Sequence, residues 1–120
     1  MLERLDSESG DAEPAQILVG DLVLLEVLRG ITDERQHEAT RAALLAFPQV
    51  RIGGTDMALA ATDHYRSLRR RGITVRKAVD CLIAAWCITH DVPLLHADRD
   101  YAPFAAHCGL RVYGRALGME

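Results

Sequence analysis

The chain has 120 residues, of which 49% are hydrophobic and 5% aromatic, and its mean hydropathy is +0.01. That is room for one domain with one core, so a single unit over residues 1–120 is expected, and fibrous, disordered and membrane-spanning classes are excluded. The net charge of −3 argues against nonspecific duplex binding by overall attraction, and so few rings argue against base stacking as the main contact to nucleic acid.

The opening MLERLDSESGDAE lacks the basic start and apolar stretch of a secretion signal, so a cytoplasmic location with no membrane partner is expected. Cys81, Cys87 and Cys108 are odd in number, and the first two share one apolar segment, so buried thiols fit better than a disulfide framework. Charge is segregated along the chain. Residues 1–13 carry Glu3, Asp6, Glu8, Asp11 and Glu13 against Arg4 alone, whereas residues 64–79 carry Arg66, Arg69, Arg70, Arg71, Arg76 and Lys77 and no acid. The basic block reads either as a solvated helix face whose last-turn arginines complement the helix dipole, or as a phosphate-facing patch.

Ile17-Leu18-Val19 predicts a short buried strand closed by Gly20. Asp21 then has the character of an N-cap, and LVLLEVLRG predicts a short helix stopped at Gly30. Thr32, Asp33 and Glu34 open a second helix that runs to about Phe47, before Pro48. Val50-Arg51-Ile52 is the next expected strand, ended by Gly53-Gly54. Thr55 caps a longer helix in which Ala58, Ala61, Tyr65 and Leu68 recur at helical spacing up to Gly72. A further helix is expected from about Val75 to His90, then a strand over Val92–His96, a short helix over Tyr101–His107 and a last strand over Arg111–Tyr113. Short strands alternating with helices imply an α/β layer fold with a largely parallel sheet.

In such a sheet ligands bind outside the carboxyl ends of the strands, so acids placed near those ends are informative. Glu26 is the only charge between Asp21 and Arg29, in a helix that is apolar almost all round. A buried carboxylate there requires a base or a metal, or else a salt bridge to Arg29 at i+3. Asp80 interrupts the most apolar segment of the chain, with an i, i+4 pair to Arg76 as its plainer explanation. Asp98 follows the apolar strand Val92-Pro93-Leu94-Leu95 and reads equally as a helix N-cap with Asp100 as a first-turn acid.

Carboxylates gathered without a thiolate or histidine cage suit a hard cation such as Mg²⁺ or Mn²⁺, and the chemistry implied is metal-assisted phosphodiester hydrolysis. His96-x-Asp98 has no second zinc-type pair to accompany it, and neither Gly-x-x-x-x-Gly-Lys nor Gly-x-Gly-x-x-Gly occurs.

The segment GITVRKAVDCLIAAWCITHDVPLLHADRDY resembles the C-terminal half of a PIN domain of the VapC toxin type, in which an Asp leads an Ile-Ala-Ala-like helix, then a strand and Thr-x-Asp-x-Asp-Phe. ILVGDLVLLEVLRGI resembles that family's second strand and its Glu-bearing helix. The resemblance runs from about residue 2 to residue 115. It implies a PIN-like three-layer α/β fold with a short, mostly parallel sheet flanked by helices. It also implies a Mg²⁺- or Mn²⁺-dependent endoribonuclease, held by a cognate VapB-type antitoxin, acting on RNA and forming a homodimer. Carried over by position, Glu26, Asp80 and Asp98 match three of the family's four acids, and Asp100 matches an auxiliary acid beside the fourth, so these four are the expected catalytic and metal-holding residues.

Three departures stand out. His96 replaces the usual Thr or Ser, and Tyr101 replaces Phe. The family's opening apolar strand ending in Asp has only a superficial counterpart in Leu5-Asp6-Ser7, and LERLDSESGDAEPAQ fits the loop or helix before the second strand. The family's first strand is therefore expected to be absent. Beside the ribonuclease stand two other readings. One is a PIN-like remnant that only binds an antitoxin or self-associates, and the other is a generic α/β domain whose acids are caps and salt bridges.

Overall fold

The computed structural model describes residues 2–4, 16–95 and 99–112. In chain order the elements are β1 (Leu2–Arg4), β2 (Gln16–Gly20), α1 (Asp21–Arg29), α2 (Glu34–Leu45), β3 (Gln49–Val50), α3 (Thr55–Arg70), α4 (Ala78–His90), a 3-10 turn (Arg99–Tyr101) and α5 (Ala102–His107). The fold is mixed α/β with a short sheet in the order β1-β2-β3. The β2–β3 pair is parallel, with Val19 opposite Gln49 and Gly20 opposite Val50. A separate parallel bridge joins Leu94 to Val112.

Two expectations change here. Leu2–Arg4 is not loop or helix but a strand antiparallel to β2, with Leu2 opposite Leu18. Strand β2 leaves a row of backbone donors and acceptors on the side away from β3, and a three-residue pairing satisfies them. Of the strands expected over Val92–His96 and Arg111–Tyr113, the described residues show one parallel bridge, reinforced by Leu94 N–H donating to the Arg111 carbonyl at 2.8 Å. Pro93 has no N–H for a ladder, which limits that pairing. Leu5-Asp6-Ser7, His96 and Tyr113 lie outside the described residues.

Helix starts shift by one to three residues. Gly20, not Asp21, is the N-cap of α1. Asp21 is the first helical residue, and its Oδ1 accepts from Leu22 N–H at 2.8 Å and from Ile52 N–H at 2.9 Å. One carboxylate thus ties the β2–α1 turn to the chain leaving β3. Of the three residues expected to open α2, Asp33 is the cap, accepting from Gln36 N–H at 2.9 Å. Helix α3 begins at Thr55 behind Gly54, whose φ of +116° is open only to glycine at little cost. Helix α4 begins at Ala78 rather than Val75 and ends on Asp91 in the left-handed region at φ 56°. Arg111 holds that cap, donating to Asp91 Oδ1 at 3.1 Å and to its carbonyl at 2.7 Å.

Helix α4 is the hub. Asp80, Cys81, Ile83, Ala84, Ala85, Trp86 and Cys87 are all buried along it, as a helix apolar on nearly every face requires. Ala61 and Leu68 of α3, Ile52, Leu94 and Phe104 share its core. Helix α1 has a similar composition and a different outcome. Only Val23 is buried there, while Leu25 is 54% and Val27 40% exposed. Composition alone does not decide which of two apolar helices becomes central.

The three cysteines are free thiols. Burial pushes the Cys87 thiol up from 9.0 to about 12. Between those values the thiolate forms in the unfolded chain and not in the folded one, so the stabilisation is intact below pH 9 and is lost as pH rises. Unfolding free energy should fall above pH 9 by up to about 1.4 kcal/mol per pH unit from this group. Urea titrations between neutral and alkaline pH should show a steeper decline for the unmodified protein than for Cys87→Ala. Parallel curves for the two proteins would refute the assignment.

Candidate active site around Asp80

Helix α4 places Asp80 in its first turn, where a carboxylate suits the helix dipole. The residue is 7% exposed, a cost the fold sustains by hydrogen bonding. Tyr101 Oη donates to Asp80 Oδ1 at 3.1 Å. Tyr101 is itself buried at the end of the 3-10 turn, with its ring centroid 6.4 Å from that of Phe104. The next acid, Asp100, precedes Tyr101 on the same turn, which contacts α4. The helix and the turn thus bring Asp80 and Asp100 to one end of α4.

The ion pair of Arg76 is with Asp100, at 4.0 Å. Beside it lies a cavity of about 110 Å³ lined by Thr74, Val75, Arg76, Arg99, Asp100 and Pro103. A wider, mainly apolar cavity of about 480 Å³ lies between α3 and α4, with Ala61, Tyr65, Val75, Cys81 and Leu82 in its wall.

Glu26 sits elsewhere in character. Its Oε1 is 3.1 Å from Arg29 Nη2 and its side chain is 31% exposed. The i+3 salt bridge forms because α1 leaves that face to solvent, contrary to the expectation of a helix buried all round. Asp98 lies outside the described residues. Among the described residues no three His, Cys, Asp or Glu side chains gather closely enough to hold a metal ion. The donors at the end of α4 are carboxylate oxygens, and the adjacent Cys81 thiol is pushed up by burial and by the Asp80 charge, which keeps it protonated. That donor set fits a hard, oxygen-preferring cation and not zinc.

The sequence marks Tyr101 only as a replacement for the family's Phe and assigns it no role at the site. A buried tyrosine hydroxyl needs a partner, and an acid that is itself misplaced in an apolar helix is the natural one, so the signal was present. Tyr101→Phe removes the donor and leaves a buried acceptor, so it should lower stability by about 1–3 kcal/mol. If Asp80 serves the reaction, activity should also drop about 10–100-fold, as when an orienting partner of a metal ligand is lost. Denaturant unfolding and cleavage assays on the same preparation check both, and an unchanged stability would remove the hydrogen bond from consideration.

The PIN domain family model matches residues 2–107. The chain is 34% identical over 89 residues to VapC ribonuclease Mb1587 of Mycobacterium bovis, and equally to Ribonuclease VapC11 of Mycobacterium tuberculosis, covering 74% of this chain and 66% of each relative. The chain therefore spans just under two thirds of the length of these curated relatives. Among solved structures, the crystal structure of VapBC2 from Rickettsia felis bound to a DNA fragment from their promoter superposes with a TM-score of 0.65 at 17% identity, covering 81% of this chain and 73% of that one. That likeness shows a shared fold. With its family model matched over residues 2–107 and the Asp-bearing helix α4 at its centre, the chain belongs to the PIN domain family.

Proposed function

We propose that the chain is a Mg²⁺- or Mn²⁺-dependent endoribonuclease, the toxin of a VapBC-type toxin–antitoxin pair. The observation that carries the reading is a carboxylate, Asp80, held at 7% exposure in the most apolar helix and beside a second acid, in a chain 34% identical to named VapC ribonucleases. Burying a charge in that place lowers stability, and a fold retains it where the charge has work to do. In this reading Asp80, Asp98 and Glu26 are the catalytic acids, and Asp100 joins them in holding the metal. When bound, the ion would polarise a phosphoryl oxygen and lower the pKa of its water. Asp80 presents a fixed oxygen because Tyr101 orients it, and Arg76 leaves part of the charge on Asp100 offset until a cation arrives. Glu26 would have to leave Arg29, and an ion pair this exposed resists little.

The same proposal includes a VapB-type antitoxin as partner, supported by the VapBC2 assembly of the structural neighbour, together with homodimer formation and a cytoplasmic location. No helix among the described residues is long and apolar enough to cross a membrane.

The Glu26–Arg29 pair, which engages one of the expected catalytic acids, favours a second reading. In it the chain is a catalytically impaired PIN-like protein that only binds an antitoxin or self-associates. Incubating the purified chain with single-stranded RNA separates the two. Cleavage that requires Mg²⁺ or Mn²⁺ and stops with EDTA supports the ribonuclease, and absence of cleavage by the folded chain supports the second reading.

A further inference from the structure

We propose that the cavity between the α3–α4 link and the 3-10 turn is a phosphate subsite, one that receives a backbone phosphate next to the bond presented to Asp80. It rests on the ribonuclease reading for its place in the reaction, though not for its existence. Its volume is about 110 Å³, room for roughly three or four waters, which suits one phosphate group. Its lining includes two arginines, Arg76 and Arg99, the hydroxyl-bearing Thr74 and one acid, Asp100. Among the lining residues the positive charges outnumber the negative, in a chain that is acidic overall.

Neither arginine is committed to a strong partner. Arg76 is 82% exposed and 4.0 Å from Asp100, and a pair that long and that wet is worth little. Arg99 is exposed and makes no ion pair among the described residues. A planar guanidinium with several fixed donors matches a phosphate in two-pronged fashion, and losing the weak Asp100 contact costs Arg76 little. Position completes the case. Asp100 forms one wall of the cavity, and the residue after it, Tyr101, holds Asp80. A strand of RNA anchored here lies alongside the acids. The rest of the basic block, Arg66, Arg69, Arg70, Arg71 and Lys77, lines neither cavity described above.

The test reads binding apart from cleavage, with the full chain in EDTA. Inorganic phosphate is titrated while the Nε–H resonances of the arginines are followed by NMR, and a fluorescein-labelled single-stranded RNA is titrated by anisotropy across a KCl series. A saturable phosphate response confined to Arg76 and Arg99 is expected. The Arg76→Gln/Arg99→Gln double variant should bind RNA about 10-fold more weakly near 0.1 M salt, with a salt slope shallower by about 1.4, the increment for two lost contacts on a single strand. Arg35→Gln, on α2, removes the same kind of charge elsewhere and should change both far less. A linear or absent phosphate response, an unchanged slope in the double variant, or an equal loss in Arg35→Gln would overturn the subsite. If the unmodified protein cleaves no RNA in Mn²⁺ while the phosphate response persists, the ribonuclease reading fails and the anion site stands.

Discussion

Replacing Asp80 by asparagine should reduce metal-dependent RNA cleavage by about 100-fold or more while leaving the fold intact. The magnitude follows from what a bound cation contributes, several kcal/mol of charge stabilisation, with each 1.4 kcal/mol equal to about a factor of ten in rate. Asparagine has the shape of aspartate and keeps an oxygen for Tyr101 Oη, so the 3.1 Å hydrogen bond survives. What disappears is the charge. Because a neutral amide is cheaper to bury than a carboxylate, the melting temperature should not fall, and the loss of activity cannot then be assigned to unfolding. Cleavage rates and thermal unfolding measured on one preparation decide the matter. Activity within tenfold of the unmodified chain would remove Asp80 from the chemistry, and a large drop in melting temperature would assign it a structural role instead.

Phe104→Ala is the substitution expected to damage the fold most. Phe104 is fully buried and is the largest side chain in that class. Its ring packs near Tyr101, and its carbonyl receives N–H groups from Cys108 and Leu110 at 2.9 and 3.2 Å, so α5 closes around it. Truncation removes the ring and leaves a cavity that two short elements cannot fill, which costs about 3–5 kcal/mol. Against a total stability of about 5–15 kcal/mol for a domain of this size, that is enough to populate unfolded molecules. The damage should reach the site as well, because Tyr101 loses the neighbour that fixes its ring and hence its hydroxyl on Asp80. Phe104→Leu keeps most of the volume and should cost roughly 1.5 kcal/mol or less. Equilibrium unfolding of the two variants tests the ordering. An alanine variant within 1 kcal/mol of the unmodified protein would show that the 3-10 turn and α5 are held by something other than this ring.

Helices were legible because their signals are local. Asp33 before Glu34, Gly30 after Arg29 and the apolar recurrence in α3 each act within a turn or two of chain. Strands were less so. Three residues at Leu2–Arg4 carry no usable period, and their strand exists only because β2 presents an edge to them. The stretch around Leu94 has the apolar run of a buried strand, yet among the described residues one bridge, Leu94 to Val112, is formed.

The site shows the same division. A lone acid within DCLIAAWC drew attention to Asp80 from sequence, since burying it carries a cost that any fold must justify. Glu26 carried the same signal in a helix of nearly the same character, and there the structure provides solvent and Arg29 instead of a buried environment. The difference lies in what packs on each helix, which no spacing along the chain records.

By itself the sequence determined the α/β alternation, the extents of the helices to within a few residues, and the acids that matched one family's pattern, because propensity, capping and hydrophobic period are properties of neighbouring residues. Only the tertiary structure decided that α4 and not α1 forms the centre of the core, that Tyr101 is a hydrogen-bond partner of Asp80, and that Arg76 and Arg99 line one small cavity beside Asp100. Those facts depend on contacts between segments some twenty residues or more apart, where burial and electrostatics are set by the whole packed chain.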